Sequence, residues 1–382
     1  MRSPFASSSQ SVTWLCVFAL LAISYWIEWC SGPMGPDHFV YTVATQKAWA
    51  GQDPYLPHHI GWGYFYPPPS LLLLEGLNRL SPHWIRPALF FISWSALAGV
   101  VAVLLMAAPL RRGRFAIAAL LLTSVGVIES VYRGQVNLFV LLTMAVFWRA
   151  FQAEWMWVAC IALGTAICLK LTPIVFAISL MTRRHWRWLV VVVVVVVLWF
   201  AAAVAVIPAG HLTTSFIDAL RWASQQSEPN AIAALWNFSL SSSLPTVLQT
   251  YTRLHIEWQT MQDVKLLLLV VVLSITYAAY AYGSVTRIAF LMVCNVVMVL
   301  APQLVWIHHF ALLIPALVVV LVPMDDAIVA WMTLIACLCF QSARLLQVHV
   351  GIHPALPFAC GQLLLLAAVI LFLLRSSRHS VR

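Results

Sequence analysis

Eight consecutive valines, Val190–Val197, followed by Leu198, Trp199 and Phe200, restrict this chain more than any other feature. Nothing in Val190–Leu198 alternates between apolar and polar, so the run is no strand of a membrane barrel. It lies within an apolar stretch, 187–208, long enough to cross a bilayer core. In hydrocarbon every backbone N–H and C=O needs a partner inside the chain, so the stretch must be helical. Similar runs recur along all 382 residues, which excludes one anchor on a soluble domain. Only 9% of the residues are charged and 63% are hydrophobic, whereas a soluble domain carries about 25% charged residues. The fold class expected is therefore all-α, a polytopic transmembrane helix bundle.

The net charge of +9 reads as topology. The arginines cluster between apolar runs: Arg111, Arg112 and Arg114; Arg183, Arg184 and Arg187; Arg287; and Arg375, Arg378 and Arg382. With all four groups in the cytoplasm, the positive-inside rule gives a consistent path. The expected spans are 12–30, 84–108, 115–131, 135–151, 156–169, 172–182, 187–208, 266–282, 286–301, 304–323, 327–343 and 357–374, with both termini inside. That is about twelve crossings of a cell (inner, plasma) membrane by one domain, 1–382. Segments 156–169 and 172–182 are short for ordinary spans and suggest a re-entrant hairpin or two short buried helices. The run 12–30 has no basic n-region beyond Arg2 and no small-residue cleavage site, so it is expected to be an uncleaved span. No basic stripe interleaves with aromatics, so nucleic acid is not an expected partner; the lipid bilayer is. Most of the eight cysteines lie in apolar runs and read as small core residues.

Two long segments then face outward, 31–83 and 209–265. Both are rich in aromatic residues, which argues against disorder. Short helices are expected in the first, over 38–50 and from Pro67 to Leu80, lying in the outer interface. The unusual polar residues gather on this side. Asp37 follows the first span; Asp53 and Tyr55 lie in Gly51-Gln52-Asp53-Pro54-Tyr55, and Tyr66 precedes Pro67-Pro68. Arg133-Gly134-Gln135-Val136-Asn137 stands at the outer end of a span, Lys170 divides the short pair, and His308-His309 opens a later span. Asp53 before proline suits a turn. Gln135 and Asn137 suit hydrogen bonding between helices as well as ligand contact. Adjacent histidines point to different helix faces, so no metal ligand set is expected, and no cofactor, while a divalent metal stays open. Lys170, between Leu169 and Leu171, is a cation in apolar surroundings, a functional candidate by position.

These groups suit transfer to a hydroxyl. A carboxylate takes the hydroxyl proton as the oxygen attacks, and Lys, Arg or protonated His stabilises a leaving phosphate. A lipid-phosphate donor fits a membrane groove with cations near the interface.

The ordered motifs resemble glycosyltransferase family 87: Asp37 with Val40-Tyr41, Gly51-x-Asp53-Pro54-Tyr55, Tyr66-Pro67-Pro68, Gly134-Gln135-x-Asn137, Lys170-x-x-Pro173, Asn237-x-Ser239-Leu240, and Pro302-x-x-x-Trp306-x-His308-His309. The resemblance runs from about residue 35 to 315. Phe238 stands where Gln is common, and Ile307 where an acidic residue is frequent. The resemblance implies an enzyme of the glycosyltransferase C superfamily, taking mannose or arabinofuranose from a polyprenyl-phosphate donor to a glycan or glycolipid of the envelope. It implies that Asp37 is the catalytic carboxylate. Lys170, His308, His309 and Arg133 are expected at the donor phosphate, and Asp53, Tyr55, Tyr66, Gln135, Asn137 and Asn237 around the substrates. The alternatives are a flippase or exporter of lipid-linked glycan, and a structural subunit. A transporter is expected to show repeats and charges near the midplane instead.

Overall fold

The computed structural model describes residues 36–55, 64–80, 82–107, 125–182, 184–225, 239–254, 256–302, 307–316, 328–329, 331–333, 335–336, 338–340, 353 and 355–379. Among these residues there is helix and no strand, as the apolar runs require. The helices of the segment expected outside come first: α1 is Pro36–Trp49 and α2 is Pro69–Asn78. Pro68 takes the N-cap of α2 and Pro69 its first turn, where a missing N–H costs nothing. Then follow α3 (Pro82–Ala107), α4 (Val125–Arg133), α5 (Asn137–Gln152) and α6 (Met156–Leu169). A 3-10 segment, Thr172–Leu180, leads to α7 (Trp186–Val206) and α8 (Leu212–Gln225). The chain continues with α9 (Leu240–Thr252), α10 (Trp258–Ala281), α11 (Arg287–Leu300), a second 3-10 segment (Ile307–Leu313) and α12 (Ala355–His379).

Three stretches are long and apolar enough to cross a membrane, Trp186–Val206, Gln259–Ala281 and Ala355–Leu374. Shorter apolar stretches occupy Pro87–Val100, Asn137–Gln152, Met156–Leu169, Arg287–Leu300 and Trp331–Phe340. The described residues thus support a membrane bundle with fewer full-length spans than the twelve expected. The expected span 12–30 and half of 304–323 lie outside the described residues, as do parts of 115–131 and 327–343. The short pair is two helical pieces: α6 ends at Leu169, Lys170 is extended (φ −154°, ψ 132°), and the 3-10 segment starts at Thr172. Irregular backbone of this kind is tolerated at membrane depth where protein surrounds it. Here α6 is largely buried and packs between α5 and α7.

Burial separates inner from outer helices. Every residue of α11 from Ala289 to Leu300 is buried, so this helix runs through the core. By contrast α7 buries only Val192 and Ala203, and exposes Val190, Val193, Val194, Val197 and Leu198. Such an apolar surface is stable only in lipid. Helix α6 meets α7 closely at Gly164, where an added Cβ would lie 2.6 Å from Val195 Cγ1. Small residues are what allow such backbone approach between membrane helices. A separate apolar cluster joins Tyr41, Ala44 and Ala48 of α1, and Leu71 and Leu74 of α2, to Ala203 and Ile207 at the end of α7 and to Leu212 and Phe216 of α8. It seats α1 and α2 on one end of the bundle.

Helix α5 spans about 24 Å at 1.5 Å per residue, and polar groups mark both its ends. Beyond its C-terminus, Glu154 sits in the left-handed region (φ 60°). Trp155 N–H donates to Ala150 C=O, which closes the helix end. Glu154 pairs with Arg287 at 2.6 Å, Arg184 at 3.4 Å and His185 at 3.6 Å. Arg287 also donates to Phe151 C=O and lies over the Phe151 ring. Two of the arginine groups that set the expected orientation therefore meet at one end of α5.

Candidate active site

The other end of α5 is built by a tight turn. Gly134 has φ +68°, a conformation that favours glycine. The Gly134 N–H donates to Val131 C=O and the Gln135 N–H to Ser130 C=O, ending α4 and turning the chain into α5 within three residues. This turn delivers Arg133, Gln135 and Asn137 to one place. Asp37 comes from the first turn of α1, where the helix dipole favours a carboxylate.

Asp37 Oδ2 lies 3.8 Å from Arg133 Nη1. Arg133 Nε is 3.1 Å from Glu129 Oε2, one helical turn back. Gln135 stands close enough to the Asp37 carboxylate to favour its ionised form. Tyr41 and Tyr66 donate to Gln135 Oε1 at 2.8 and 2.9 Å. Lys170 Nζ donates to Asn137 Oδ1 at 2.8 Å, and its charge acts on Asp37. Burial pushes the Asp37 carboxyl above the usual range; Gln135, Arg133 and Lys170 pull it down, and Glu129 pushes it up. Oδ2 is buried and accepts no hydrogen bond among the described residues. A buried acceptor left this way is costly. The arrangement thus sets a carboxylate beside two cations, the pair of functions that hydroxyl attack with loss of an anion requires.

The expected site residues fall into three groups. Asp37, Arg133, Gln135, Asn137, Lys170 and Tyr66 come together here. Asp53 and Tyr55 stand one step behind: Tyr55 N–H donates to Asp53 Oδ1 at 2.8 Å, the turn expected before Pro54. Tyr55 is buried, and its hydroxyl donates to Tyr66 C=O at 3.0 Å. His309 is half-buried in the second 3-10 segment, which packs against α4 and α5. Asn237 and the His308 side chain lie outside what is described.

Besides Glu154, two buried ionisable residues were not singled out from the sequence. Glu129, buried and paired to Arg133, was visible as an acid inside an expected span, four residues before an arginine. Lys265 is 2% exposed in α10, and its Nζ donates to Pro302 C=O at 2.9 Å. It ties α10 to the proline that opens the histidine motif. It stands just before the expected span 266–282, where sequence alone does not tell a buried lysine from a flanking one.

Helices with lipid-facing surfaces, carrying a carboxylate and two cations at one end, define a helical membrane protein with a polar cluster suited to group transfer. The model of glycosyltransferase family 87 matches residues 64–302, more than half of the chain, and the protein belongs to that family: it is a membrane glycosyltransferase. No curated protein matches it. The matched span includes Tyr66, Arg133, Gln135, Asn137, Lys170 and Asn237. It is narrower than the 35–315 expected and leaves Asp37, Asp53, Tyr55, His308 and His309 outside.

Proposed function

We propose that the enzyme transfers a sugar of the mannose or arabinofuranose class from a polyprenyl-phosphate donor to a hydroxyl of an envelope glycan or glycolipid, on the non-cytoplasmic face of the inner membrane. The observation that carries this reading is the buried, unspent Oδ2 of Asp37 beside Arg133, with Lys170 acting on the same carboxylate. The acceptor hydroxyl places its proton on Asp37 while its oxygen attacks the anomeric carbon. The bond from that carbon to the phosphate oxygen breaks, and its electron pair leaves on the polyprenyl phosphate. Lys170 and Arg133, with His308 and His309, offset the new negative charge. One displacement inverts the anomeric centre. The opposite end of α5, where Arg184 and Arg287 gather at Glu154, supports the outward reading.

The test uses purified protein in detergent or liposomes, with radiolabelled polyprenyl-phosphate mannose and polyprenyl-phosphate arabinose, and with nucleotide sugars as control. Transfer of label from a polyprenyl-phosphate sugar to a glycan or glycolipid acceptor is expected. Transfer from a nucleotide sugar alone would overturn the donor assignment.

A further inference from the structure

The amide of Gln135 is buried and faces two tyrosine hydroxyls, which together decide which of its ends faces Asp37. Tyr66 Oη donates to Oε1 at 2.9 Å. The Tyr41 proton is shared between Oε1, at 2.8 Å, and Tyr66 Oη, at 2.9 Å. A phenol proton can be given only to the oxygen end of an amide, because the NH₂ end has no lone pair to receive it. Both tyrosines therefore hold Oε1 on their own side, and Nε2 is left free to turn to the Asp37 carboxylate, whose ionised form Gln135 favours. Rotating the amide by half a turn would strand two buried hydroxyls and set Oε1 against the carboxylate.

The tyrosines are held firmly enough to do this. Tyr41 is 3% exposed and lies one turn after Asp37 on α1. Its ring meets Tyr66 edge-on at 5.2 Å and Tyr64 edge-on at 6.4 Å. The Tyr66 backbone is anchored by the Tyr55 hydroxyl. Tyr64 in turn is hydrogen-bonded to Ser70, whose hydroxyl donates to Pro67 C=O. The aromatic residues of the first outer segment thus form a rigid wall behind one amide.

We propose that Tyr41, Tyr66 and Gln135 are positioning residues for the reaction: the two hydroxyls fix the Gln135 amide so that its N–H₂ takes up one edge of the Asp37 carboxylate and leaves Oδ2 for the acceptor hydroxyl. This rests on Asp37 being the base. It gives the Gly134-Gln135-x-Asn137 motif a division of labour. Gln135 orients the base, while Asn137 orients Lys170 through the 2.8 Å bond to its ammonium.

The pH dependence of transfer separates this role from plain packing. The groups facing Asp37 are Arg133, Glu129, Lys170, Gln135 and the tyrosine hydroxyls. Among them Gln135 favours the ionised carboxylate. A base must be ionised to act, so weakening the Gln135 bond moves the ascending limb of kcat/KM to higher pH. Loss of a hydrogen bond to a charged group corresponds to about one to two pH units. The experiment measures that limb for wild type, Tyr41→Phe/Tyr66→Phe, Gln135→Met, and the combination of all three, using the radiolabelled polyprenyl-phosphate sugar that supports transfer. Tyr66→Phe alone serves if the double substitution lowers the folded yield.

The limb should move up by about one unit in the tyrosine variant and one to two units in Gln135→Met. The tyrosine changes should add nothing in the Gln135→Met background. A folded tyrosine variant with an unmoved limb, or with a displacement that adds fully to that of Gln135→Met, would overturn the relay while leaving Asp37 as base. An Asp37→Asn enzyme with wild-type turnover would overturn the base assignment itself, and the relay with it.

Discussion

Replacing Lys170 by methionine removes one charge and keeps the shape of the stem. Lys170 leaves the end of α6 on extended backbone, and its ammonium is 2.8 Å from Asn137 Oδ1. Asn137 is fully buried, so its oxygen has no water to turn to. Two losses follow, and different assays read them. Donor binding and departure lose a charge-assisted contact to phosphate, worth about 1.5–3 kcal/mol, which is roughly ten- to a hundredfold in kcat/KM for the donor. Asn137 loses its ammonium donor, which costs about 1–3 kcal/mol of stability in the folded protein. The second loss appears as a lower Tm in detergent and does not depend on donor. Initial rates across donor concentrations, with folded yield measured in parallel, separate the two. A folded Lys170→Met enzyme with wild-type kcat/KM for the donor would refute the phosphate role and leave Lys170 as a structural partner of Asn137.

Other outcomes follow from the same structure. Gly164→Leu should destabilise by about 1–3 kcal/mol, the usual cost of overpacking, because even a Cβ would lie 2.6 Å from Val195; a thermal melt in detergent reads it. Burial pushes the Glu154 carboxyl up, but the hydrogen-bonded Arg287 guanidinium and the nearby Arg184 pull it further down, and it ends below the usual carboxylate range. A depressed carboxyl stabilises the fold above its unfolded value, and that gain is lost as the pH falls through the folded value. Glu154→Gln should therefore lower Tm at neutral pH, with the difference from wild type closing below the ordinary glutamate range. Single cysteines placed at Gln52, which is exposed, and at Gln225 should react with an impermeant thiol reagent from the non-cytoplasmic side; labelling only from the cytoplasmic side would reverse the orientation proposed.

The bundle was legible because lipid leaves few solutions. The valine run of α7 is a helix that buries only Val192 of its eight valines, as suits a lipid-facing span. The short helices Pro36–Trp49 and Pro69–Asn78 were also legible, since proline suits the first turn of a helix and Asp53-Pro54 suits a turn. The number of full spans was harder to read. Apolar composition does not distinguish a helix that crosses from one that stops, and α6 stops at Leu169 with 14 residues. At the site, the residue types were readable but their pairings were not. Tyr41 and Gln135 are 94 residues apart, and nothing local to either says that they meet. Glu154 was invisible for another reason. A left-handed backbone at a helix end is normally announced by glycine, and here a three-way ion pair holds a glutamate in that place.

Asp37→Asn keeps the volume and the contact with Gln135 and removes the basic oxygen. Single-turnover transfer of labelled sugar from saturating polyprenyl-phosphate donor, with folded yield and donor binding measured on the same preparation, isolates the chemical step. The account predicts retained folding and donor binding, and a rate lower by about 10²- to 10⁴-fold, the typical loss for a general base. A well-folded Asp37→Asn enzyme that transfers sugar at close to the wild-type rate would contradict it.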